Sequence, residues 1–134
     1  MNFSLHNLTK FKVEGTNKGH LKYLSRDYAY FKTDEPVDSD LDIIISDFTP
    51  DNDNCYVVNR KYWIRKGYLF TTHHHKLVRW KVCIRDLTQK KTTVYFSGSK
   101  FGEVFLRDYI IEPLISLKLF AKGSPLYFRE REFY

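Results

Sequence analysis

Three cations, Arg79, Lys81 and Arg85, are spaced by two and four residues in a stretch that alternates polar and apolar side chains, and Lys90 and Lys91 follow just beyond it. Successive side chains of a strand point to opposite faces, so an even spacing puts the first three on one side. Cations in such a row can follow a phosphate backbone, and Tyr62 and Trp63 offer rings on which bases stack. Leu77 and Cys83 interrupt the same face, and basic residues are common on exposed strands. The ladder is therefore a candidate anion or nucleic-acid surface and not a signature.

Other clusters fall short of the chemistry they suggest. The segment SGSKFG (97–102) joins a strand to a helix, where free amides and the helix dipole attract anions. A Walker loop needs GxxxxGK[ST], but Gly98 and Gly102 are four apart and no Lys-Ser/Thr pair follows. An ordinary connection with Ser99 as N-cap is the expectation. His73 and His75 share a strand face, yet zinc takes three or four ligands and the neighbours Thr72 and Lys76 add none, so a solvated turn is expected and no metal. Asp51 and Asp53 begin like a calcium loop, but Tyr56 and Tyr62 occupy the places of its glycine and its glutamate. No GxSxG, HExxH or Cys–His–Asn pattern is present, so no catalytic residue is named and no cofactor is expected within this chain.

The elements that must position these residues belong to one domain of 134 residues. At 43% apolar and 17% aromatic content the chain is too hydrophobic for disorder, and its ten Tyr and eleven Phe suit strands. The net charge of +6 divides into about −4 over residues 1–54 and +10 over 55–134, and residues 34–53 hold eight acids with no Lys or Arg. Such a division marks either a basic binding face or two surfaces of opposite sign that face each other. No apolar run is long enough to span a bilayer and the N-terminus does not read as a leader, so a cytoplasmic protein with no membrane partner is expected. In that setting Cys55 and Cys83 are free thiols, and the sequon at Asn7 is a chance match.

In chain order, residues 3–13 read as a first strand, 14–20 as a turn, and 21–32 equally as helix or strand. LDIII (41–45) is a short strand and 49–54 a loop. A meander follows through 55–58, 62–64 and 68–71, then a long strand over 76–87 and another over 92–96. The last apolar stripe, 101–117, has helical spacing; Pro113 should kink that helix or start a second short one, and Gly123 should end it before an extended tail. The expected fold is α+β: a mostly antiparallel sheet of about six or seven strands, covered by a C-terminal kinked helix.

The order TTVYF (92–96), SGSKFG, then FLRDYIIEPLISLKLFAKGSPLYF (105–128) resembles the region just upstream of the P-loop in proteins related to HPr serine kinase/phosphatase and ATP-dependent phosphoenolpyruvate carboxykinase. There an Ile-Glu-Pro-Leu-type helix ends at a glycine and leads into a strand, and WKVCIRDL (80–87) fits the strands before it. The resemblance covers residues 76–128 and departs from the family after Phe128, where REREFY brings no Walker lysine, metal-binding Asp or catalytic His, so no functional residue carries over. It implies a non-catalytic accessory domain, N-terminal to a P-loop domain, that positions a partner or substrate. A nucleic-acid-binding module on Arg79, Lys81, Arg85, Lys90 and Lys91 is the alternative, and an assembly domain pairing through its C-terminal edge a third.

Overall fold

The computed structural model describes residues 1–6 and 8–122. Asn7, the expected helix stop at Gly123, and the tail through REREFY lie outside the described residues.

Nine strands form one sheet among the described residues: β1 (Asn2–Leu5), β2 (Thr9–Gly15), β3 (Lys32–Thr33), β4 (Leu41–Ile45), β5 (Tyr56–Val58), β6 (Tyr62–Arg65), β7 (Tyr68–His75), β8 (Val78–Arg85) and β9 (Thr92–Gly98). Their spatial order is β3-β1-β2-β4-β9-β8-β7-β6-β5. The α+β class stands, with more strands than the pattern suggested. The expected single strand 3–13 is a hairpin that divides near His6, whereas the long strand expected over 76–87 is the single strand β8, entered by a tight turn at Lys76; His6 and Lys76 both have positive φ. His73, His74 and His75 thus lie on β7, not in a turn.

The meander of antiparallel pairs runs from β5 to β9, but the centre of the sheet is parallel, with β4 hydrogen-bonded between β2 and β9. A parallel step needs a crossover. Between β2 and β4 the chain passes through α1 (Lys18–Asp27) and a 3₁₀ turn (Ala29–Phe31), so helix begins inside the segment 14–20 that reads as a turn. Asn17 starts it, its Oδ1 accepting from the His20 amide at 3.0 Å.

One face of the sheet carries the main core. Leu41, Ile43 and Ile45 alternate inward along β4 and are fully buried, as are Phe11 and Val13 on β2 and Val94 and Phe96 on β9. Phe3 stacks on Phe11 at 4.7 Å, and Tyr28, at the end of α1, meets both rings edge-on. The C-terminal helix covers the same core in three segments: α2 (Gly102–Phe105), a π-helical segment (Leu106–Ile111) and α3 (Glu112–Ala121). Its buried positions Gly102, Leu106, Ile110, Leu114 and Lys118 recur every fourth residue. In an unbroken α-helix that spacing drifts by about 40° per step. The wider π segment takes back part of the drift and keeps the row on the sheet. Pro113 follows directly on the π segment, and because the backbone stays helical through Ile111 and Glu112 its missing N–H falls inside the helix, where the π segment's altered hydrogen bonding accommodates it. No helix among the described residues is long and apolar enough to cross a membrane.

Lys118 is the polar member of that buried row. Its ammonium donates to the Gln89 and Lys90 carbonyls at 2.9 and 2.8 Å, fastening the helix to the β8–β9 turn. Burial pushes its pKa below the ordinary lysine value, opposed by Asp40. Lys118→Met keeps the buried stem and removes both charged hydrogen bonds, so it should cost about 1–2 kcal/mol. Urea unfolding reads the loss, and hydrogen exchange should show residues 88–91 opening faster; an unchanged midpoint with unchanged exchange would refute the fastening.

Candidate functional site

The structure places Arg79, Lys81 and Arg85 on the second face of the sheet, away from the helices, as the alternation of β8 requires. Of the five candidate cations, Lys81, Lys90 and Lys91 then meet acids from residues 34–53. Lys81 Nζ lies 2.8 Å from Asp47, donates to the Phe48 carbonyl at 2.5 Å and sits over the Phe48 ring. The hydrogen bond from Lys81, then its charge, holds the exposed Asp47 carboxyl below the usual carboxylate range. Lys90 and Lys91 reach Asp38 and Asp42 at 3.7 and 3.6 Å. Arg85 lies 5.9 Å from the Tyr95 ring, and Arg79 stands exposed at the far end. Of the two readings of the charge division, the one in which opposite surfaces face each other describes these residues.

The rings expected to stack on bases are partly committed. Trp63 packs against Phe70 at 5.3 Å in a small second-face cluster with Tyr68, Phe48 and Cys83. Burial raises the pKa of both Cys83 and Tyr68, and both cysteines are free thiols, Cys83 buried and Cys55 partly so. His73 stacks on Trp80 at 5.4 Å. No group of three or more His, Cys, Asp or Glu that could hold a metal occurs among the described residues.

A different set of residues converges where β2, β4 and β9 end. These three strands are parallel, so Gly15, Ile45 and Gly98 bring their carboxyl ends to one edge. From that edge β2 leads into α1 and β9 into α2. Between the two helix starts lies an open cleft of about 410 Å³, lined by Asn17, Gly19, His20, Lys22, Tyr23, Arg26, Lys100 and Glu103.

His20 forms the floor and is 2% exposed. Its Nε2 is 2.8 Å from the Gly98 carbonyl, which only accepts, so Nε2 carries a proton. Its Nδ1 is 2.9 Å from Glu103 Oε1, and one further proton lies between those two atoms. Both ring nitrogens are thus engaged, and the imidazole joins α1, the end of β9 and the start of α2. It is a support, with no free lone pair to offer a substrate. Around it the side chains of Lys22, Arg26 and Lys100 have no hydrogen-bonding or ionic partner among the described residues. The neighbouring Arg107, by contrast, is committed to Asp27 and Asp108, at 2.5 and 2.7 Å, and hydrogen bonding to Asp108, then Asp27, raises its pKa.

Residue patterns did not single out this cleft. Asn17 as an N-cap was a legible signal; the pairing of His20 with groups 78 and 83 residues away was not. The SGSKFG segment does reach a helix, but Ser99 does not cap it: the hydroxyl donates to the Leu77 carbonyl at 2.9 Å and accepts from the Arg79 amide at 3.2 Å. The first residue before α2 is Phe101, without a side-chain cap.

The outward face of the C-terminal helix is a second feature. Phe101, Val104, Tyr109, Leu117 and Phe120 are exposed there, Tyr109 at 70% and Phe120 at 68%. Comparison of the chain with protein-family models, with curated proteins and with solved structures finds no match.

Proposed function

We propose that this chain is a non-catalytic accessory domain of an HPr kinase-like, ATP-dependent protein, and that it positions a partner or substrate for a P-loop domain. The observation that supports the reading is the exposed apolar face of the C-terminal helix, because single exposed apolar residues are ordinary on a surface while a row of large ones marks a contact. The occupant we assign to it is the P-loop domain, on the resemblance of residues 76–128 to the region preceding such a domain. Nucleic-acid binding has less to draw on, since three of its five cations face carboxylates of the same chain.

The test uses the purified chain as bait in an extract of its own source, with the captured protein identified by its sequence. A protein carrying GxxxxGK[ST] should be retained, and Tyr109→Asp/Phe120→Asp should lose it. Tyr109 stacks on Phe105 at 5.5 Å and residue 120 lies in the last turn of α3, so the double variant should lose about 1–2 kcal/mol yet remain folded, which urea unfolding checks before the capture is compared. Capture of no P-loop protein, or equal retention by the double variant, overturns the reading.

A further inference from the structure

We propose that the cleft between α1 and α2 binds a small phosphate-bearing ligand, a role that stands apart from any docking on the helix face. The charge pattern is the first support. Lys81, Lys90, Lys91, Arg107 and Lys122 each meet an acid, and cations such as Lys76 and Arg79 stand singly; Lys22, Arg26 and Lys100 instead gather around one opening, with no acid paired to their side chains among the described residues. The one carboxylate there, Glu103, is already held by His20.

The start of α1 is the second support. Helices favour acids in their first turn, because the unpaired amides and the dipole leave positive charge there. This one has none; its first residues are Lys18, Gly19 and His20. Asn17 caps the His20 amide, while the Lys18 and Gly19 amides take no partner among the described residues. A Cβ built on Gly19 would meet only the Asn17 side chain, at 3.5 Å, so the first turn of α1 is uncrowded on that side. Local charge is therefore placed for a bound anion, at the strand ends where a phosphate can reach amides and ammonium groups together.

The third support is rigidity. His20 binds Gly98 and Glu103 beneath the opening, so α1, which carries Lys22 and Arg26, and the turn that carries Lys100 are tied before any ligand arrives. A phosphate monoester or pyrophosphate fits the volume and the charge. Tyr23, whose pKa is raised chiefly by burial, lines the same wall and offers a ring to the rest of the ligand.

Calorimetric titration of the whole chain with inorganic phosphate, pyrophosphate and AMP, at constant ionic strength, tests the proposal. At least one should bind saturably at one site; phosphate or pyrophosphate alone indicates a free inorganic ligand, and tighter AMP binding indicates a phosphorylated organic one. Arg26→Ala/Lys100→Ala should weaken binding at least tenfold, while Lys90→Ala/Lys91→Ala, outside the cleft, should leave it unchanged. Gly19→Glu supplies a built-in anion. It should keep the fold, raise the melting temperature and abolish binding. Absence of saturable binding for all three ligands, or an equal loss in the Lys90/Lys91 variant, overturns the proposal.

Discussion

Gly15→Ala should destabilise the domain by about 4 kcal/mol or more, near the limit for one methyl group. Gly15 closes β2 in register with Ile45 of β4 and has φ of +143°, a conformation that L side chains rarely adopt. Backbone strain of that kind costs about 1–3 kcal/mol by itself. The steric conflict adds to it, because a Cβ at this position would stand 2.1 Å from the Ile45 carbonyl oxygen and 2.8 Å from its nitrogen. These are backbone atoms, so no rotamer change relieves the contact, and either β2 or β4 must move. The same carbonyl accepts from the Thr16 and Asn17 amides at 3.0 and 3.4 Å, so displacement there also loosens the entry to α1. Gly19→Ala is the control four residues later. Its added methyl enters open space inside a helix, and it should stabilise by about 0.5–1 kcal/mol. Urea denaturation of the two variants should move the midpoint in opposite directions, and a Gly15→Ala midpoint within about 1 kcal/mol of the parent would contradict the steric argument.

The contrast between these two glycines shows what residue patterns can and cannot convey. Periodicity identified β4, where Leu41, Ile43 and Ile45 alternate without ambiguity, and it identified the covering helix, although of its stripe only residues such as Ile110, Ile111, Leu114 and Ile115 face the core while Phe101, Val104 and Leu117 face out. It also placed Val82 and Ile84 on the core face of β8. It found β8 as one strand but did not divide residues 3–13 into a hairpin or see the turn into β8, because the turns at His6 and Lys76 use positive φ at residues that carry no glycine signal. The parallel centre was hidden for another reason. Its crossover helix α1 is short and polar, and the groups it buries, His20 and Leu24, include a histidine that reads as a surface residue. The candidate cleft was illegible on the same ground, since its parts lie on α1 and around the start of α2, brought together only by sheet topology. The basic ladder shows the converse. Its spacing was legible and its face was right, but the acids that pair with Lys81, Lys90 and Lys91 come from a segment whose partner no local pattern names.

The buried pair in the floor of the cleft should behave unlike those surface pairs. Exposed ion pairs are worth about 0–1 kcal/mol, but His20 and Glu103 have side chains only 3% and 13% exposed. His20→Ala should cost about 3–4 kcal/mol, because it strands a largely buried carboxylate and the Gly98 carbonyl and removes the edge contact with Phe96. Glu103→Gln should cost only about 1 kcal/mol. A neutral imidazole keeps its Nε2 proton on Gly98, and its Nδ1 then accepts from the new amide, so every buried group retains a partner. Truncating both residues should cost less than the sum of the separate truncations, by about 1–3 kcal/mol, since the second removal no longer leaves a group unpaired. Chemical denaturation of His20→Ala, Glu103→Ala and the double variant measures that coupling. Additive losses, or a His20→Ala variant as stable as Glu103→Gln, would mean that the imidazole merely fills space; the predicted order instead makes it the tie that holds both cleft-forming segments in place.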